Sequence, residues 1–109
     1  MRTQIVCVRI VKEKFLREAA EQYPKAEKFL TSWVETVKAA TWKDFTAVRA
    51  TYGSADSVKV ASGNTVVVFD VNGNTYRLIV ALHYNTRTAY TLRFMTHAEY
   101  DKENWKKDL

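Results

Sequence analysis

A single cysteine, Cys7, occurs in the 109 residues, so no disulfide can close within the chain. Cys7 lies inside the apolar run from Ile5 to Val11 and reads as a small buried hydrophobe. No Cys/His spacing suits a zinc site, and neither metal nor cofactor is expected. One proline and three glycines leave little room for linkers or low complexity, which predicts one domain over residues 1–109. No segment has the length of a membrane span, and the N-terminus lacks the layout of a secretory leader, so the expected compartment is the cytoplasm.

The most telling absence is of carboxylates. From Val71 to Ala98 there is no Asp or Glu, while Arg77, His83, Arg87, Arg93 and His97 all fall inside. The net charge of +5 permits a polyanionic partner, and this acid-free stretch would concentrate positive field locally.

What is present divides into two halves. Residues Thr3 to Val11 alternate loosely and are rich in Ile and Val, which predicts a first strand. Lys12 to Tyr23 then changes to helical spacing, with Phe15, Ala19 and Tyr23 recurring every four residues. Pro24 suits the first turn of a second helix, Lys25 to Ala40, whose apolar stripe is Ala26, Phe29, Leu30, Trp33, Val34 and Val37. So short a connection predicts an antiparallel helical hairpin. Trp42, Phe45 and Val48 suggest a further helical turn or an ordered loop before Gly53.

The second half reads as a meander of strands over Ser57–Ala61, Thr65–Val71, Thr75–Tyr84 and Thr88–Met95. Its turns fall at Ser62-Gly63-Asn64, Asn72-Gly73-Asn74 and Asn85-Thr86-Arg87. Thr96 and Glu99 then match a capping box, which predicts a C-terminal helix continuing through Trp105. The fold class is α+β, with the helical hairpin packed on a mainly antiparallel sheet. On the third of these strands Tyr76, Leu78, Val80 and Leu82 should face the helices. Arg77, Ile79, Ala81 and His83 would face a concave, partly wet surface. His97 and Tyr100, three apart, would share one face of the last helix.

These residues bring a family into view. The Asn72-Gly73-Asn74 hairpin with Tyr76-Arg77-Leu78-Ile79, followed by Thr96-His97-Ala98-Glu99-Tyr100-Asp101, resembles the HigB-type toxins. These belong to the RelE/ParE-like superfamily of type II toxin–antitoxin systems. Tyr23-Pro24, Trp33, Trp42-x-x-Phe45 and Ser54-Ala55-Asp56 are similar too, so the resemblance covers nearly the whole chain. It implies a RelE-like fold and a ribosome-dependent, metal-independent mRNA endoribonuclease. In that chemistry a ribose 2′-OH attacks the adjacent phosphate. The implied partners are mRNA on the ribosome, with rRNA contacts, and a HigA-like helix-turn-helix antitoxin.

That reaction needs a base, an acid and cations around the phosphorane. His97 suits acid or base work because imidazole titrates near neutrality; the alternative is a helix-start residue that only packs. Tyr100 would hydrogen-bond the 2′-OH, donate the final proton or stack on a base, or else simply pack under the helix. Arg77 would clamp phosphate with its planar fork, unless an ion pair with Asp70 or Asp56 occupies it. Lys59 is the candidate second cation. Lys43, Arg49, Arg87, Arg93 and Lys102 are candidates for RNA-backbone contacts. Glu99 is accounted for by the cap, Asp101 by the helix dipole, and His83 reads as a surface residue. Two other functions stay open: a ParE-like toxin acting on a topoisomerase, and a basic RNA-binding module without chemistry.

Overall fold

A computed structural model describes residues 8–109. Its five strands form one sheet in the order β1-β5-β4-β3-β2: β1 is Arg9–Val11, β2 Asp56–Lys59, β3 Thr65–Val71, β4 Tyr76–His83 and β5 Thr88–Thr96. β1 runs parallel to β5, and every other pairing is antiparallel. Of the first strand expected over Thr3–Val11, the last three residues are seen as β1; Thr3 to Cys7, and with them the reading of Cys7, lie outside the described residues.

Helix α1 spans Glu13–Gln22; Pro24–Ala26 make a tight 3-10 turn, and α2 follows over Glu27–Ala39. Pro24 fits there because the first helical turn has no use for its missing N–H. Lys38, near the end of α2, pairs with Glu13 at the start of α1 at 2.9 Å, as an antiparallel hairpin requires. The stripe read from sequence is the buried one: Leu16, Ala26, Leu30, Trp33 and Val37 pack on Val67, Phe69, Val71, Leu78 and Val80. Trp33 meets Phe69 edge-on at 5.5 Å. The Trp42–Val48 segment becomes α3, Phe45–Thr51, whose first turn is capped by Asp44 accepting from the Ala47 amide at 2.9 Å. Trp42 and Val48 both enter this core.

The other face of the sheet corrects an expectation. It is not open at its centre, because Val60, Val66, Val68, Ile79, Met95 and Trp105 bury one another in a second, smaller core. Trp105 gets there because the C-terminal helix breaks. α4 covers only His97–Asp101, Glu103 takes a left-handed φ of 60°, and α5 restarts at Trp105–Asp108. One continuous helix would have carried the indole past the sheet. The break instead lets the Trp105 indole N–H donate to the Tyr100 carbonyl at 3.1 Å.

β5 also holds an irregularity. Ile79 pairs with Arg93 but Val80 pairs with Thr91, so Leu92 is an extra residue, a β-bulge. Strict alternation from the buried Thr91 would have sent Arg93 to the helical face. The bulge returns it to the face of Ile79 and Arg77. Across the same corner the Thr91 hydroxyl lies 3.2 and 3.1 Å from the carbonyls of Val11 and Lys12, tying β5 to the entry of α1.

Candidate active site

β5 hands over to α4 through the capping box. The Glu99 amide donates to the Thr96 hydroxyl at 3.2 Å, and the Thr96 amide donates to the Glu99 carboxylate at 3.0 Å. The next amide, of His97, donates to the Thr75 carbonyl at 3.0 Å, which fixes the helix start against the β3–β4 hairpin. Both Asn72 and Gly73 take positive φ in that hairpin, 53° and 66°, as a tight turn of the Asn-Gly kind demands. Thr96→Ala is therefore expected to cost about 1 kcal/mol. In a thermal melt this lowers the midpoint by about 5 °C. An unchanged midpoint would remove the cap from the account.

Arg77 is the hub. It is only 7% exposed, and its guanidinium is held on three sides. Nε faces Asp70 at 3.1 Å, one Nη donates to the Tyr76 carbonyl at 3.0 Å, and the other reaches both the Asn74 side-chain carbonyl and His97 Nδ1, the latter at 3.0 Å. Four of the five guanidinium hydrogens are thereby used. The ion pair with Asp70 is present, and the same guanidinium meets His97: Asp70 aims the fork, and the fork aims the histidine.

This geometry assigns the imidazole tautomer. A guanidinium can only donate, so Nδ1 must accept, and the ring proton sits on Nε2. Nε2 lies 3.1 Å from Asp101 Oδ2, where that proton is donated. Arg77, His97 and Asp101 thus form a chain of cation, neutral imidazole and carboxylate. Asp101 was legible only as a dipole partner. The i,i+4 spacing to His97 is the signal that points to the contact.

Tyr100 completes the group. Its ring lies 5.4 Å from the Arg77 guanidinium carbon and stacks on Trp105 at 5.2 Å and 18°. Burial raises the Tyr100 phenol above its ordinary value; Lys106 and Arg77 pull it back, while Asp56 and Asp70 push it further up. Tyr52 is raised by burial against a hydrogen bond from Thr36, and Tyr84 by burial and Asp44. Below pH about 10 the phenols are neutral folded or unfolded, and this contribution is fully present. As pH rises through the raised values, the unfolded chain ionises first and stability is lost. Thermal melts from pH 9 to 11 should show that fall, and Tyr100→Phe should make it shallower. A Phe variant as alkali-sensitive as the parent would contradict the assignment.

The other candidates divide. Arg93 joins the site's face: paired with Ile79, it is a diagonal neighbour of Arg77, whose direct partner on β5 is Met95. Lys102 is exposed at the end of α4. Lys59 is not brought in. Its partner is Thr65, which shares the helical face with Val67 and Phe69, and it sits about 17 Å along the strand from the Asp70–Arg77 pair. The strand there begins at Asp56 rather than Ser57, and Asp56, not Lys59, turns to the Arg77 side. Lys43 and Arg49 ride on the α3 layer, where Arg49 donates to the Gly53 carbonyl at 3.0 Å. Arg87 sits at the β4–β5 turn, about 20 Å along β4 from Arg77. Two residues at the site were not singled out from sequence: Asn74, whose side chain holds Arg77, and Lys106, 5.7 Å over the Trp105 ring. Among the described residues no three His, Cys, Asp or Glu side chains converge as metal ligands, and no helix is long and apolar enough to cross a membrane.

A hairpin on a five-stranded, mainly antiparallel sheet, with an Arg–His–Tyr cluster where the last strand meets a short helix, is the architecture of a RelE-like toxin. A family model described as HigB toxin, RelE-like toxic component of a toxin-antitoxin system, matches residues 26–103. The chain belongs to the HigB toxin family, and its partner within such a system is an antitoxin. It is similar to the mRNA interferase toxin HigB of Escherichia coli K12, at 29% identity over 92 residues, covering 84% of this chain and 86% of the relative. The mRNA interferase HigB of Shigella flexneri matches with the same identity and coverage.

Proposed function

We propose that this toxin is an mRNA endoribonuclease that cuts by attack of a ribose 2′-OH on the neighbouring phosphate. The observation that carries the reading is the Arg77–His97–Asp101 chain with Tyr100 over its cationic end. A scissile phosphate arriving at Arg77 competes for the Nη that now donates to His97. As that donor turns to a phosphate oxygen, Nδ1 is released to accept the proton of the 2′-OH. O2′ then bonds to phosphorus and the bond to O5′ breaks. Asp101 remains on Nε2–H and stabilises the imidazolium that forms, as the acidic member of a His–Asp pair does. Tyr100, a neutral phenol whose ring lies over the Arg77 guanidinium, is the donor that protonates the departing O5′, leaving a 2′,3′-cyclic phosphate and a 5′-OH.

The names of the relatives in Escherichia coli and Shigella flexneri support mRNA as the substrate. We further propose that the 109 residues act as one domain in the cytoplasm. Cleavage takes place on the ribosome, and the antitoxin is HigA-like with a helix-turn-helix domain. On this reading Arg77 and Arg93 supply charge to the phosphate, while Lys43, Arg49, Arg87 and Lys102 contact RNA backbone outside the reacting centre. Adding the protein to a cell-free translation reaction tests the function: the mRNA should be cut within its coding region. Intact mRNA with damaged DNA would instead indicate a toxin acting on a topoisomerase. RNA bound but uncut would indicate a binding module.

A further inference from the structure

Beyond the reacting cluster, the uncovered part of the same sheet face carries an unused aromatic. Tyr90 is the one large apolar side chain exposed among the described residues, at 36%. Single exposed apolar residues are ordinary; its surroundings are not. Tyr90 pairs with Ala81 on β4 and with Val11 on β1, and His83 meets its ring edge-on at 5.0 Å. His83, Ala81 and Ile79 share the Arg77 face of β4, and the bulge at Leu92 keeps Tyr90 and Arg93 on that face of β5. Arg9, paired with Thr88, lies on this face too, since the intervening Ile10 enters the larger core. β1, β4 and β5 contain no carboxylate. The smaller core gathers Trp105 with residues of β3, β4, the region after β2 and the far half of β5 (Leu92 and Met95), while Arg9, His83 and Tyr90 stay exposed.

We propose that Tyr90, braced by His83, is a stacking platform for an unpaired base of the RNA strand whose phosphate lies at Arg77. The inference rests on the nuclease reading for its ligand. Ala81, opposite Tyr90, is four residues from Arg77, about 13 Å along the strand. Arg93, between the two in register, supplies backbone charge on the way. An aromatic face set among cations and clear of carboxylates is what single-stranded RNA selects: the ring takes the base, and the cations take the phosphates. The platform lies to one side of the bond that breaks, so it would sense the identity or stacking strength of a flanking base.

The test uses the full-length toxin and a short single-stranded RNA carrying 2-aminopurine beside the scissile position. Every ribose is 2′-O-methylated so that the RNA cannot be cut. Tyr90→Ala is expected to weaken binding about 5- to 100-fold, the range that base–aromatic stacking supplies, and to abolish the change in 2-aminopurine emission. Tyr90→Trp should preserve both. Because Tyr90 is exposed, a melt matching the parent should accompany each variant. Binding and emission identical in the parent and Tyr90→Ala would overturn the platform. Unmodified RNA and translating ribosomes, assayed in parallel, separate this from the nuclease reading. Cleavage without Tyr90-dependent binding sinks only the platform; Tyr90-dependent binding without cleavage anywhere sinks only the nuclease.

Discussion

His97→Ala is expected to lower mRNA cleavage by about 10²–10⁴-fold, the range a positioned general base contributes. The fold should survive the change, because the His97 side chain is 42% exposed and the hydrogen bond to the Thr75 carbonyl is donated by the backbone N–H of His97. His97→Gln is the sharper variant. Glutamine can bridge Arg77 and Asp101 with its carbonyl and amide, yet it has no nitrogen that accepts a proton from a 2′-OH. If the imidazole only spaced its neighbours, His97→Gln would restore cleavage where His97→Ala had lost it. If it is the base, both variants fail together. Single-turnover cleavage of one ribosome-bound mRNA, beside thermal melts of the three proteins, decides between these outcomes.

Arg77 is expected to give the second large effect, and a different one, because it acts on stability as well as rate. Arg77→Ala leaves Asp70, the Asn74 carbonyl and the Tyr76 carbonyl without their donor. Asp70 is 31% exposed, so water recovers part of that loss, and a cost of about 1–3 kcal/mol follows rather than that of a fully buried pair. Cleavage should fall by about 10²-fold or more, since the phosphorane loses its cation and His97 loses the contact that orients it. Arg77→Lys separates the two roles. A lysine keeps the charge beside Asp70 and most of the stability, but a single ammonium cannot hold Asp70, Asn74 and His97 in one plane. Its melt should approach the parent while its cleavage stays at least about 10-fold down. A lysine variant that cleaves like the parent would reduce Arg77 to a point charge.

Much of this arrangement was legible because it is local. β3 was readable from its valines, the hairpin that follows from Asn72-Gly73, and the start of α4 from Thr96 and Glu99; each signal spans only a few residues. Helical spacing put His97 and Tyr100 on one face of α4, and each of them meets Arg77. Where the site depends on long-range packing, the sequence was silent. Nothing local marks Leu92 as an extra residue, so the face taken by Arg93 depends on the register of β4 against β5. Trp105 folds back only because Glu103 breaks the terminal helix, and that break closed the centre of a face expected to be open. Lys59 was a candidate for its charge alone, and only its pairing with Thr65 shows that it lies on the helical face, away from Arg77. Alternation did place Arg77 on the correct face. It could not show that the guanidinium is nearly saturated by Asp70, Asn74, Tyr76 and His97, which makes it as much the holder of the histidine as a clamp for phosphate.

The account stands or falls on which oxygen attacks phosphorus. Purified toxin is added to translating ribosomes, and mass spectrometry reads the chemistry of the new RNA ends. A 2′,3′-cyclic phosphate facing a 5′-OH, lost when a single 2′-O-methyl group is placed at the cut position, is the predicted result. A 3′-OH facing a 5′-phosphate, or cleavage that ignores the methyl group, would mean that water rather than the ribose is the nucleophile, and that the Arg77–His97–Asp101 chain does not do what is proposed for it.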